Sequence, residues 1–304
     1  MPFKDNYKQQ VRLLVSSLPA VAEESCFALK GGTAINLFVR NMPRLSVDID
    51  LTYLPVVDRN RSLQEIDETL KRIGERLKNT SPRMNVTESG PSSQDTINKL
   101  VLQSSDRTQI KIEVTPVLRG CVYEPADRVI SEKAEDQFGF AEIKVLSFAD
   151  LYAGKIMAAL DRQHPRDLFD VYYLLENERI TEELRTAIIV YLVSHNRPPQ
   201  MLLSPNLKDI YAEYENNFVG MTEDEIILET LESTREVLIK DICTGFTDDQ
   251  KQFLYSFYRR EPQWDLLGIE GLDQLPAIKW RELNLDKAGK ETQEETAKAL
   301  EELL

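Results

Sequence analysis

In KGGTAINLFVRNMPRLSVDIDL, residues 30–51, two glycines head an amphipathic segment and two aspartates then interrupt an apolar run. Asp48 and Asp50 alternate with Val47, Ile49 and Leu51, the period of a strand, so both carboxylates project from one face and the apolar side chains from the other. Adjacent carboxylates repel, and the pair reads either as a polar strand face or as a cation site. Oxygen donors with no histidine or cysteine beside them point to Mg2+ or Mn2+. Upstream, FALKGG reads as a short strand ending at a glycine turn, and TAINLFVRN as a helix with Ala34, Leu37 and Phe38 on one side. Gly31 and Gly32 allow a sharp turn and close approach to a ligand, and the helix start offers N–H groups to an anion; a plain tight turn is the simpler alternative.

A third acid lies further along. In QIKIEVTPV, Glu113 alternates with Ile112 and Val114, and INKLVLQSS before it suggests a hairpin turning at SDRT. Alone, such a glutamate is a surface strand residue. Beside an Asp-x-Asp strand it becomes a candidate general base or metal ligand, because in-line phosphoryl or nucleotidyl transfer uses carboxylates to hold metals and steady charge on the reacting phosphorus.

Around these strands, RSLQEIDETLKRIGERLKN places Leu63, Ile66, Leu70, Ile73 and Leu77 at helical spacing, and the polar break NTSPRMNVTESGPSSQD follows. After Asp150 the pattern is helical: FADLYAGKIMAALDR, a turn at QHPRD, then LFDVYYLLEN with Pro165 in its first turn. In PRDLFD, Arg166 and Asp170 are four apart, and Asp167 and Asp170 three apart, so each pair shares a helix face, as a simple ion pair requires. The proline-rich SHNRPPQMLLSPN marks a domain boundary, giving domains 1–195 and 196–304. Beyond it, Thr222 with Glu225 has the form of a capping box, TDDQKQFLYSFYRR is a further helix start, and KETQEETAKALEELL is an acidic helix that either frays or docks a partner.

The 304 residues carry 37 basic and 51 acidic side chains, a net charge of −14, which argues against indiscriminate coating of nucleic acid. Residues 200–304 hold 11 basic and 23 acidic residues, leaving 26 and 28 for residues 1–199, so the N-terminal part retains the means for a basic groove. No run of ~18 apolar residues and no signal-peptide pattern is present, so no membrane association and a cytoplasmic location are expected. Cys26, Cys121 and Cys243 are odd in number and widely spaced, which fits neither a disulfide framework nor a zinc site; they are expected reduced and mostly buried. With two histidines in the chain, His164 reads as a loop residue rather than a catalytic one.

The glycine turn, helix, Asp-x-Asp and later acid resemble the signature of polymerase-beta-type nucleotidyltransferases. More narrowly, KGGTAINLF, RLSVDIDL, KIMAALDRQHPRDLFDVYYLL, FVGMTEDE, FLYSFYRREPQWDLLG and LPAIKWRELNL resemble the AbiEii family, the toxin half of abortive-infection phage-defence systems, over most of the chain. The resemblance implies an α+β fold: an N-terminal nucleotidyltransferase domain, a small mixed sheet flanked by helices, and a mostly helical C-terminal domain. It implies transfer of an NMP from an NTP to an acceptor, the 3′ end of tRNA in some members, with a cognate antitoxin as partner. Carried over, Asp48, Asp50 and Glu113 bind metal. Lys30, Gly31, Gly32, Thr33, Arg44, Ser46, Arg166 and Asp170 face the nucleotide, and Lys155 and Asp167 join the three acids as catalytic residues, with Asp170 the alternative to Asp167. Gly32 stands where many relatives have serine, which leaves Thr33 to supply any hydroxyl contact to phosphate. From the residues alone, Lys155 reads equally as a helix-surface lysine. Two other readings stay open: the same chemistry on a small molecule such as an aminoglycoside or on a protein hydroxyl, and a non-catalytic relative that binds a partner.

Overall fold

Among the described residues, seven strands alternate with helices in the first half of the chain, and the elements of the second half are helices. The computed structural model describes residues 3–91 and 96–304. By packing, the chain divides into two units, Met1–Ser147 with Gly220–Glu225, and Phe148–Val219 with Ile226–Leu304.

The first unit holds β1 (Phe27–Lys30), β2 (Ile49–Tyr53), β3 (Asn85–Ser89), β4 (Lys99–Gln103), β5 (Gln109–Val114), β6 (Ala126–Val129) and β7 (Glu142–Val145). They form one mixed sheet in the order β3-β4-β5-β2-β1-β7-β6. β2 runs parallel to β5 and β1 parallel to β7, while β1–β2, β3–β4, β4–β5 and β6–β7 are antiparallel. Val145, Leu29, Leu51 and Val114 are paired in register across four strands and all are fully buried, so they form one apolar row on a single sheet face. One residue along, side chains emerge on the other face, and there the row is Lys30, Asp50, Glu113 and Lys99. Strand periodicity thus separates core from chemistry within a single residue step.

Helix Asp5–Ala22 packs on β7 and β5, and helix Arg59–Thr80 packs on β3, on β4 and on the first helix. Ile66, Leu70, Ile73 and Leu77 are buried along the predicted stripe of the second. Buried Glu24 ties that helix to the sheet by accepting from Arg72 at 2.8 Å and Arg76 at 2.7 Å; the Arg72 hydrogen bond, ahead of its opposing burial, holds the carboxyl below its ordinary range.

The polar break after this helix contains β3, whose Val86 is its one buried residue; Ser92–Asp95 of that break lie outside the described residues. The hairpin at SDRT forms as expected, turning through Arg107 at φ 70°. Thr222 is not a helix cap. It is 7% exposed and bridged to Arg44, and the helix begins six residues later at Leu228.

The second unit starts with helices Phe148–Arg162 and Pro165–Asn177, the latter capped by His164, whose Nδ1 accepts from the Arg166 amide at 3.1 Å. The proline-rich segment is not a linker: it folds into helix Pro199–Leu203 with Leu202 and Leu203 buried. Packing therefore places the change of unit at Ser147 rather than at residue 195, because helices 148–194 bury their apolar faces among those that follow. A capping box does occur at Thr247 and Gln250, heading helix Asp248–Tyr258. The last helix, Lys290–Leu303, docks on this same unit, with Ala297 and Leu300 buried and Arg259 bonded to Glu294 and Glu301. The three cysteines are free and half-buried rather than mostly buried. No helix among the described residues is long and apolar enough to cross a membrane.

Candidate active site

The turn after β1 is built against the start of β2. Gly31 has φ 73°, a left-handed conformation, and a Cβ placed on it would lie 2.7 Å from Asp50 Oδ2. Any side chain there both strains the backbone and pushes the carboxylate aside. A Cβ on Gly32 would meet Arg44 Nη2 at 2.7 Å and Ser46 Oγ at 2.8 Å. The two glycines thus bring the backbone of 31–33 flush against residues 44–50. Gly31–Thr33 form one helical turn, whose N-cap residue Lys30 makes no capping bond with its side chain, and it runs on into a π-helical stretch, Ala34–Val39. Asn36 Nδ2 donates to the Gly32 carbonyl at 2.9 Å, steadying the turn from within.

Two residues assigned to the nucleotide have other work. Thr33 is 1% exposed and its hydroxyl donates to the Asp48 carbonyl, so it fastens the turn to the aspartate strand instead of facing solvent. Arg44 is 2% exposed and donates to the Leu45 carbonyl at 2.8 Å, a buried strut beneath Gly32. Ser46, also buried, stands beside it. The returning segment Gly220–Glu225 braces this strut: the Leu45 amide donates to the Met221 carbonyl at 2.8 Å, and Lys133 pairs with Glu223 at 2.6 Å.

Asp48 and Asp50 are both partly exposed at the start of β2, and Glu113 is directly in register with Asp50 on the neighbouring strand. Lys30 completes the inner end of the row, its Nζ donating to Thr115 Oγ1 at 2.8 Å. Desolvation pushes its ammonium below the usual lysine range, opposed by the charges of Asp50 and Glu113. At the outer end, Lys99 Nζ lies 3.1 Å from Glu113 Oε2. The three acids do not converge as a closed trio: among the described residues no group of three potential ligands is gathered tightly enough to hold a metal. The donor set of Asp48 and Asp50, oxygen-only and partly open to solvent, suits a hard divalent cation, with Glu113 one strand away and engaged by Lys99.

The second unit carries its own charged cluster. Lys155 Nζ contacts Asp167 Oδ1 at 2.7 Å and Asp170 Oδ2 at 3.0 Å, and Arg162 reaches Asp167 Oδ2 at 2.8 Å. Lys155 is 7% exposed and both aspartates less, so it is no surface lysine. The acids of PRDLFD were spaced for a local pair; the partner their spacing did not reveal is a lysine on the preceding helix. Arg166 is half-buried beside them. Lys99, Thr115 and Arg162 are the members of these two clusters that sequence reasoning missed.

Gly31→Ala gives a direct check on the turn. It is expected to lower stability by about 1–2 kcal/mol through the left-handed strain and to lower nucleotidyl transfer by roughly 10²-fold through the displaced carboxylate. Melting curves and turnover on the same preparation separate the two.

Residues 12–268 match the family described as nucleotidyl transfer toxins of the AbiEii type, type IV toxin–antitoxin system. No curated protein matches the chain. Among solved structures, the nucleotidyltransferase toxin MenT4 from Mycobacterium tuberculosis H37Rv superposes with a TM-score of 0.60 at 12% identity, covering 92% of this chain and 93% of that one, which shows a shared fold. Terminal uridylyl transferase 4 from Trypanosoma brucei, with bound GTP, aligns over 97% of this chain and 94% of its own at 13% identity, with a TM-score of 0.31. With the glycine turn seated on Asp50 and the family match spanning most of its length, the chain belongs to the AbiEii nucleotidyltransferase toxins of type IV toxin–antitoxin systems.

Proposed function

We propose that this toxin transfers an NMP unit from an NTP to an RNA acceptor, the 3′ end of tRNA, with Asp48 and Asp50 holding Mg2+ or Mn2+. The observation that carries the reading is the close approach of Gly31 to the Asp50 carboxylate, so tight that a Cβ on the glycine would meet it: a helical turn starts directly beside an acidic, partly open strand end. Phosphate and metal are chemically paired ligands, and this juxtaposition offers a seat for each.

When bound, the divalent ions supply charge neutralisation at the reacting phosphorus and lower the barrier to attack by a hydroxyl. The chain's own residues do the rest. The amides of Gly31–Thr33 orient phosphate oxygens, and the Lys30 ammonium adds positive charge at the row's inner end. The buried Arg44 and Ser46 hold the turn rigid against that load. Glu113, in register with Asp50, is the third acid, available either to join the metal or to take the proton of the incoming hydroxyl. Lys155 and Asp167 are proposed to serve the same reaction, as the family resemblance implies, with Arg166 and Asp170 beside them.

The test is to incubate the purified protein, Mg2+ and total cellular RNA with each labelled NTP in turn. Label is expected in RNA of tRNA length, for one NTP above the others, and its yield is expected to fall steeply as salt rises because phosphate contacts release counterions. Label that appears instead in a small molecule or in protein, with no salt dependence, would assign the same chemistry to a different acceptor.

A further inference from the structure

Lys30, Asp50, Glu113 and Lys99 are paired in register across β1, β2, β5 and β4 and so stand in one line on one sheet face. The two like charges at the centre are flanked by an ammonium on each side. The two flanking lysines are not equivalent. Lys30 spends a hydrogen bond on Thr115, whereas Lys99, half-buried like Lys30, engages Glu113 Oε2 directly at 3.1 Å.

We propose that Lys99 is a positioning residue for Glu113 that competes with the divalent cation for its carboxylate, so that the third acid joins Asp48 and Asp50 only when the metal displaces an ammonium. The inference rests on the metal-binding reading of Asp48 and Asp50. Two facts support it. Glu113 is in register with Asp50 yet does not close a three-acid group, and its carboxylate is instead paired outward to β4. The ion pair is also half in water, 29% and 41% exposed, so it is screened and weak enough to exchange. An ammonium and a metal ion use the same oxygen lone pairs, and the dication binds them at the shorter distance. Lys99 thereby sets a threshold: it makes the adjacent acids tolerable in the absence of metal and gives Glu113 up when metal and nucleotide arrive together.

The experiment follows Mn2+ binding to the full chain by electron paramagnetic resonance, with and without non-hydrolysable NTP analogues, for the parent and for Lys99→Met, Lys99→Arg and Asp48→Ala. Lys99→Met is expected to bind Mn2+ about three- to tenfold more tightly, the range for removing one unit charge ~6 Å from a dication in a watery setting. The Mg2+ concentration giving half-maximal turnover is expected to fall with it. Lys99→Arg, which keeps the competing cation, is expected to stay at the parent value, and melting curves confirm that the variants fold; Lys99→Gln is the second neutral variant. Lys99→Met and Lys99→Gln binding Mn2+ as the parent does, while Asp48→Ala abolishes binding, would overturn the role of Lys99 alone. Equal Mn2+ binding by the parent and Asp48→Ala would overturn the metal reading and this inference with it.

Discussion

Asp50→Asn is expected to lower nucleotidyl transfer by about 10³-fold or more, the scale on which removing one preorganised charge at a phosphoryl-type centre acts. The amide keeps the shape of the side chain against Gly31, so the turn and the strand pairing to Lys30 and Glu113 persist. What disappears is the negative charge that offsets the desolvated Lys30 ammonium and that, in the proposed reaction, would hold the metal. The melting temperature is therefore expected to change little while turnover collapses, and Asp48→Asn should behave the same way. Growth arrest in cells making the variant is the second measurement. An Asp50→Asn protein that keeps more than about a tenth of parental turnover would remove this carboxylate from the reaction.

Lys155→Met is expected to destabilise the second unit by about 3–5 kcal/mol, because it removes the ammonium that contacts both buried carboxylates, Asp167 and Asp170. Arg162 still reaches Asp167, through a side chain that is 62% exposed and so partly screened by water. A change that also removes the stranded charge should recover much of the loss, so the triple variant with Asp167→Asn and Asp170→Asn is expected to melt well above Lys155→Met alone. Denaturant unfolding of the three proteins checks this. If Lys155→Met unfolds at the parental midpoint, the cluster is not a stabilising one. Turnover lost by the triple variant beyond its loss of stability would then assign the group to the reaction.

The parts of this fold that sequence made legible are those whose periodicity is enforced by burial on one side. β1, β2, the hairpin of β4 and β5, and helix Arg59–Thr80 all press one face on the core, and their apolar residues repeat accordingly. β6 escaped because its four residues, Ala126–Val129, are all exposed, and a sheet edge carries no alternation to read. β3, the opposite edge, buries Val86 alone and sat inside a polar stretch. The acids and glycines of the site were legible because each was chemically conspicuous, and their register across β2 and β5 followed from strand pairing. The backbone carbonyls that Thr33 and Arg44 bond were not legible, because a hydroxyl and a guanidinium look the same in sequence whether they face a ligand or a backbone carbonyl. Lys99 had a signal available, since it alternates with Leu100 and Leu102, and the hairpin register then sets it opposite Glu113. Lys155 was picked out by the family resemblance, but its pairing with Asp167 and Asp170 had no local signal, because they lie across the turn on the next helix.

The chain departs from its first unit at Ser147 and revisits it at Gly220–Glu225, where Met221 supplies the acceptor for the Leu45 amide and Thr222 flanks Arg44. A growing polypeptide therefore holds its aspartates, its glycines and every strand of the sheet long before it holds the brace for the loop that joins them. Until residue 225 has emerged from the ribosome, the segment that joins the glycine turn to the aspartate strand lacks its last backbone partners, so the order of synthesis makes this brace the final piece of the first unit to be laid down.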